Sequence, residues 1–550
     1  MLRRGCLRAS LSPSELLEAK TNRRIFIRGV NVPAKLPPYQ HNLQEDDLLR
    51  LCSWGFTVIR LVVTWEALEP AEGSYSVAYM QYILETVRLC ERHGVSVIVD
   101  PHQDCWSRFT GGDGAPAWTM ERLGFRMNNL EACGATLSDR SNPMLWATNY
   151  QLFGSAAMCT LFFGSRHFAP DVRVDGHPAQ DWLQSRFIAA FSTLAKVLRE
   201  QCNVLGFGTL NEPSLGWIGV KDIRRCAASY RFGYALSPLQ CIRLAAGQTE
   251  TGVVFYRYPF VPWSIRTLNP DRKVLCTIWP EDLPYDHFAL RDTEDAPKDF
   301  LGPFWTRFGQ SVRHSGGEDL LIFTEPPPIQ DAHVCVARNP PEVLSPHFYD
   351  LVSTSLQRFV PWLAIDPVTG WPGFNAAETR RRVVRRMLEH GVVIGETGVC
   401  WMGAHTDAAM DATFEALEAA LAPAVLIWCY VPGHKTDDGW NRENFSIWSD
   451  QKLRITRAVR PYAMRVAGKP VRMAWEKDVF VLEFNECHDV DSNETVLFLT
   501  HRPCERIEVS DGRYERDGPV MRYIHKHKLR GMHSIRVSFT SRNLTTGASC

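Results

Sequence analysis

The chain has 550 residues, 45% apolar and 22% charged, a globular composition too long for one ordinary domain. Its 61 basic and 61 acidic residues cancel, so no overall field draws it to nucleic acid or to an anionic surface. Sixteen Cys without CxxC pairs read as small reduced residues, neither a disulfide framework nor a metal site.

The first twelve residues carry Arg3, Arg4 and Arg8 but no long apolar run, so a secretory signal is not expected. A mitochondrial presequence stays open, with Glu15 and Glu18 against it. Residues 1–23 are taken as an N-terminal extension. From Ile25 to Tyr430, short β-branched runs alternate with amphipathic stretches, as in βαβ units around a parallel sheet. Eight strands are expected: Ile25–Val30, Thr57–Val62, Val95–Asp100, Val204–Thr209, Leu320–Thr324, Val343–Pro346, Val392–Gly395 and Ala424–Cys429. Helices are predicted at Val77–His93, stopped by Gly94, at Asp181–Gln201, and at Ala376–His390 with its Arg run facing solvent. No glycine-rich turn follows Val30. The α/β pattern therefore predicts a (β/α)8 TIM barrel over residues 24–465, not an open doubly wound sheet. Insertions at Gln103–Gln180, Ser214–Asp319 and Asp350–Asn375 fall on its catalytic rim. Beyond the barrel, Val471–Phe484, Thr495–Thr500, Arg506–Val509 and His533–Phe539 alternate as strands of an antiparallel β-sandwich spanning 466–540. Residues 541–550 read as a polar tail. No stretch reaches the ~18 apolar residues of a membrane span, and a cytoplasmic protein, peripheral to internal membranes, is expected.

Thr209-Leu-Asn-Glu-Pro213 places Glu212 directly after an apolar strand, where barrels carry catalytic groups; a helix start is the bland alternative. Glu396, in Gly391-Val-Val-Ile-Gly-Glu-Thr-Gly398, ends another strand, between glycines that would let a ligand approach the backbone. Strands four and seven face each other across a barrel, and glycosidic cleavage needs two carboxyl groups. Further strand ends point to the same place. Arg60 would hold the nucleophile's charge, or form a buried structural ion pair. Asn211, His102, His347 and Tyr349 would hydrogen-bond sugar hydroxyls or the carboxylates, although a lone strand His is often plain core. Trp428 would floor the sugar ring, or simply pack. His-Gln-Asp at 102–104 and His-Phe-Tyr at 347–349 also suggest a metal. Neither has zinc spacing, and no P-loop, G-x-S-x-G or dinucleotide fingerprint occurs, so neither metal nor cofactor is expected.

Taken in order, these residues resemble glycoside hydrolase family 5 over roughly residues 24–465. The resemblance implies retaining double displacement, with Glu396 as nucleophile and Glu212 as acid and then base. Within the family the chain is similar to the endoglycoceramidase-related subgroup, which includes glucosylceramidases and steryl-β-glucosidases. The matching stretches are Arg28-Gly-Val-Asn31 with Lys35, Asp100-Pro-His-Gln-Asp104 through Ser107-Arg108, and Gly112-Asp-Gly-Ala-Pro-Ala-Trp118. Asn149-Tyr150 leading into Leu161-Phe-Phe-Gly164 matches as well. By resemblance, Lys35, Gln103 and Asp104 contact the non-reducing sugar; Pro101 departs from the pattern and puts the placement of His102 in question. The implied substrate is glucosylceramide or a steryl β-glucoside. An endoglycoceramidase, a soluble β-glucan hydrolase and an inactive glycolipid-binding barrel remain alternatives. The oligomeric state is not readable.

Residues 149–164 are apolar nearly all round and too short to span a bilayer. Leu152, Phe153, Leu161, Phe162 and Phe163 are therefore expected to line an aglycone channel and make transient contact with a membrane surface. A helix merely capping the barrel is the alternative.

Overall fold

The computed structural model describes residues 1–550 apart from 12–13, 140–141, 143, 227–230, 259–260, 328–341, 390, 402, 436–442, 527–530 and 541–550. The expected polar tail lies outside the described residues.

Eight β-rich runs become eight parallel strands: β1 (Ile27–Val32), β2 (Val58–Thr64), β3 (Ser96–His102), β4 (Val204–Gly208), β5 (Leu321–Thr324), β6 (Glu342–Leu344), β7 (Val393–Thr397) and β8 (Ala424–Ile427). Each is within two or three residues of its expected bounds. The sheet runs β6-β5-β4-β3-β2-β1-β8-β7, every neighbour parallel. Its two ends meet, because the Val392 amide donates to the Leu344 carbonyl at 2.9 Å and Phe348 to Glu396 at 2.9 Å. The sheet is therefore a closed barrel, and the strand ends around its C-terminal mouth converge.

Helices cover the outside. In α1 (Val77–Arg92), Ser76 accepts from the Tyr79 amide at 3.2 Å, and Gly94 at φ +75° ends the turn that follows. The residues of the channel expectation lie at the start of, and along, α2 (Phe153–Phe168), which packs against α3 (Ala179–Val197). The structure corrects that expectation. Leu152, Phe153, Leu161, Phe162 and Phe163 are all at most 2% exposed. Phe162 alone meets Trp106, Phe187 of α3 and Phe304 of α4 (Gly302–Gly316) at ring distances of 5.6, 5.9 and 5.1 Å. An all-apolar helix needs neighbours on every side, and the rim insertions supply them. The Arg run on α5 (Ala376–Leu388) is also only partly solvent-facing. Arg380 is buried, 2.6 Å from Asp350, and Arg386 bonds Asp366. The last barrel helix is α6 (Thr406–Ala419).

The C-terminal region forms β9 (Tyr462–Val466), β10 (Lys469–Glu476), β11 (Val479–Asn485), β12 (Glu494–Phe498), β13 (Cys504–Val509), β14 (Arg513–Asp517), β15 (Val520–Ile524) and β16 (Met532–Phe539). They make two antiparallel sheets, one of them ordered β10-β11-β16-β13, sharing a core of Phe480, Leu482, Phe484, Leu497, Ile535 and Val537. The other sheet holds β9-β12-β15-β14 and, beyond β9, the chain's own beginning. Residues expected as a bare extension form a hairpin, Leu7–Leu11 against Ser14–Glu18, which reaches β9 through Arg24–Ile25. Leu16 of this hairpin packs with Ile27, Ile98, Leu205 and Leu321, closing the floor of the barrel opposite its catalytic mouth.

Candidate active site

At the mouth, Arg60 of β2 gathers the strand ends. Its Nη1 donates to Asn31 Oδ1 at 2.9 Å and Glu396 Oε1 at 2.7 Å. Its Nη2 donates to Asp100, Asn211 and Glu325 at 2.8, 2.8 and 2.7 Å. Burial opposes its charge, but Asp100, Glu325 and Glu396 outweigh that and hold the guanidinium above its ordinary range. Glu396 also accepts from the Tyr349 hydroxyl at 2.9 Å, so both its oxygens have donors. Gly395, just before it, has a local reason: a Cβ there would lie 2.6 Å from Ser345 Oγ and 3.0 Å from His347 Nε2. The glycines beside Glu396 thus admit neighbouring protein groups, not a ligand as expected; Gly398 faces the Trp428 carbonyl in the same way.

Glu212 follows β4 with φ +39°, in the left-handed region, its amide donating to Glu325 Oε2 at 3.1 Å. His347 Nδ1 stands between the paired carboxylates, 2.8 Å from Glu212 Oε1 and 3.6 Å from Glu396 Oε2. Burial lowers its basicity, yet Glu396 and Glu325 dominate and raise the imidazole to about 9, so it is cationic at neutral pH. Glu212, His347 and Glu396 place their oxygens and nitrogen within 4.8 Å of one another.

His102, Asp104, Lys35 and Trp428 form the adjoining wall. His102 Nδ1 lies 2.6 Å from Asp100, and its ring stacks on Trp428 at 5.4 Å. Burial opposes that cation too, but Asp100 holds the imidazole up to about 10 even against Lys35. Lys35 bonds Asp104, lies 3.7 Å from Asp113, and has its ammonium 4.5 Å above the Trp428 ring. The Trp428–Cys429 peptide is cis. His102, Asp104 and Asp113 could also group around a cation, but the Lys35 ammonium already occupies their midst. Two expected sugar contacts are committed elsewhere. The Gln103 amide donates to the carbonyls of Asn211 and Glu212 at 2.8 and 3.0 Å, and Asn211 Nδ2 donates to the Gln103 carbonyl at 3.1 Å. Both hold the loop that carries Glu212.

Sequence reasoning missed three groups. Glu325 ends β5 as Glu212 ends β4, so the same strand-end signal was there to read. Asp113 and Glu443 sit on rim loops where no periodicity marks them. Glu443 is 5% exposed, and its Oε1 accepts from the Met144 amide at 2.7 Å and Trp146 Nε1 at 3.2 Å. The Trp146 ring lies 6.2 Å from that of Tyr150, whose hydroxyl is 3.4 Å from Asp104. Glu443 thus braces the wall from the loop after β8.

Arranged so, two carboxyls at the mouth of a barrel, one held by a guanidinium and a phenol, can act as a nucleophile and a proton donor on one bond.

Comparison with known proteins agrees with this chemistry. Two family models match, "Cellulase (glycosyl hydrolase family 5)" over residues 20–231 and "Glycoside hydrolase family 5 C-terminal domain" over residues 460–537. A glucosylceramidase of Rhizopus delemar is 28% identical, covering 95% of each chain. An ergosteryl-beta-glucosidase of Saccharomyces cerevisiae is 27% identical over 74% of this chain and 67% of its own. The crystal structure of Cryptococcus neoformans sterylglucosidase 1 matches with TM-score 0.87 at 23% identity, covering 98% of both chains. Endo-glycoceramidase II from Rhodococcus sp. gives 0.60 at 16% identity, over 96% of this chain and 99% of that one; these two likenesses concern the fold.

Proposed function

Because this chain belongs to glycoside hydrolase family 5, whose members are retaining, we propose that it is a β-glucosidase removing glucose from glucosylceramide or a steryl β-glucoside. The observation that carries the reading is the carboxyl pair bridged by His347, with oxygens within 4.8 Å. Near approach of the two carboxyls suits direct attack, as in retaining pairs ~5–5.5 Å apart, and not the ~6.5–9.5 Å of an inverting pair.

Glu396, ionised and held by Arg60 and Tyr349, attacks the anomeric carbon while Glu212 gives its proton to the departing lipid oxygen. A glycosyl ester forms on Glu396. Glu212, now a carboxylate, takes a proton from water, whose oxygen attacks the same carbon and releases glucose and Glu396. The two names that favour a glucosylated lipid are the glucosylceramidase and the ergosteryl-beta-glucosidase, the first matching along nearly the whole chain. Lys35 and Asp104, with Glu443 behind them, line the wall beside the carboxyl pair, and in this reading that wall holds a single glucose and not an oligosaccharide.

The test is a pair of variants on a chromogenic β-glucoside. Glu396→Gln should lose about four orders of magnitude in kcat, with unchanged melting temperature and no product with azide. Glu212→Ala should retain turnover of good leaving groups and yield β-glucosyl azide, because azide needs no general base. An inert Glu212→Ala on activated substrates would remove the acid/base assignment. Glucosylceramide, a steryl glucoside and cellotetraose, assayed side by side, decide the substrate class.

A further inference from the structure

All three exposed tryptophans among the described residues lie on two rim segments. Val261, Trp263 and Ile265, on the hairpin of Glu250–Tyr258 and Val261–Leu268, are 48%, 56% and 74% exposed. Trp362, Trp371 and Phe374, in the insertion after β6, are 59%, 75% and 75% exposed. Side chains of this size normally bury, and clustered exposure marks a surface that meets something apolar.

Both segments are rooted in the site. The hairpin pairs with Gly233–Tyr234, and Gly233 packs on Thr148, two residues before the Tyr150 that reaches Asp104. The other segment leaves the barrel at Tyr349, which donates to Glu396; the next residue, Asp350, caps the helix Leu351–Leu356. Charge on the hairpin is mostly basic although the whole chain is balanced: residues 251–268 contain Arg257 and Arg266 and no Asp or Glu, while residues 351–374 set Arg358 against Asp366, which is itself paired with Arg386. The Arg257 guanidinium lies 4.5 Å over the Trp263 ring, pairing an aromatic that settles at headgroup depth with a cation that lipid phosphates attract.

We propose that the catalytic rim docks on an anionic lipid bilayer through these two aromatic loops, presenting the mouth of the barrel to lipid. Its purpose rests on the glycolipid reading above; its test does not.

The full chain, Trp263→Ser/Ile265→Ser and Trp371→Ser/Phe374→Ser are floated with phosphatidylcholine vesicles, with and without about one-third phosphatidylserine. The unaltered protein should float with the phosphatidylserine vesicles and far less with phosphatidylcholine alone, and salt should release it. Each double variant should lose about tenfold in partition, with melting temperature and hydrolysis of a soluble aryl glucoside unchanged. Equal flotation of all three proteins, or none, overturns the proposal. So does a shift of the variants to a smaller species in gel filtration, which would make the patch a contact between copies. A protein that floats as expected yet leaves both glycolipids intact in detergent keeps the docking surface and removes the substrate reading. One that cleaves them in detergent without floating does the reverse.

Discussion

Arg60 gives three buried carboxylates and two amide oxygens a common donor, and no other cation fits there as well. Lys has one compact charge and cannot span five acceptors set by five strand ends. Arg60→Lys should lower kcat/KM at least about a hundredfold, and the melting temperature should fall as Asp100 and Glu325 lose a partner. Unchanged melting with lost activity would place the effect on Glu396 alone. Glu443 makes a different test. Burial pushes its carboxyl up to about 7 from 4.5. A raised carboxyl pKa means that the folded state holds the proton more tightly. Its contribution is therefore fully present below pH 4.5 and lost as pH rises through 7. Glu443→Gln removes that titration, so between pH 4.5 and 8 the native protein should lose on the order of 2 kcal/mol relative to the variant, read from urea unfolding. At this scale Glu212, Glu396 and their donors were legible because each ends an apolar run, and strand ends meet in a barrel. Gln103 and Asn211 were named but assigned to sugar, since no pattern tells which acceptor an amide will find. Glu443 was invisible, because only the folded rim brings it to Trp146.

The α2 helix shows what sequence can leave undecided for an element. Its all-round apolar surface required a dry environment, and two environments qualify: lipid or protein. The α3 helix was readable from its spacing. The α4 helix was not, because it lies in a long insertion whose Pro and aromatic content resembled a loop, and with α4 unseen one flank of α2 stood empty. Phe162→Ala should therefore destabilise by about 3–5 kcal/mol, the cost of deleting a fully buried ring. Activity on a soluble aryl glucoside and on a glycolipid should fall together, in step with the folded fraction. Loss on the lipid alone, at unchanged stability, would return the helix to a channel. The eight strands came through within a few residues because burial on both faces writes continuous β-branched runs, which periodicity catches easily.

For the whole molecule, barrel and C-terminal sheets are joined at several points. Arg460, just before β9, lies 2.7 Å from Glu418 and reaches over the Trp475 ring of β10. The N-terminal hairpin serves both, packing Leu16 under the barrel and extending the sheet of β9. Deleting residues 1–23 should therefore expose the barrel floor and an open sheet edge together. The expected result is one cooperative unfolding transition, shifted down by many degrees, not the loss of an independent module. An unshifted transition in calorimetry would show the hairpin to be dispensable.

That sheet also sets an order of events at birth. Arg24 and Ile25 leave the ribosome about 440 residues ahead of their ladder partners, Val466 and Arg465. At roughly 5–20 residues per second, the nascent hairpin waits about 20–90 seconds for the strand that completes it. Throughout that interval it presents an unpaired edge. The barrel can form around its floor before the sheet is finished, so this sheet is the last part of the fold to close.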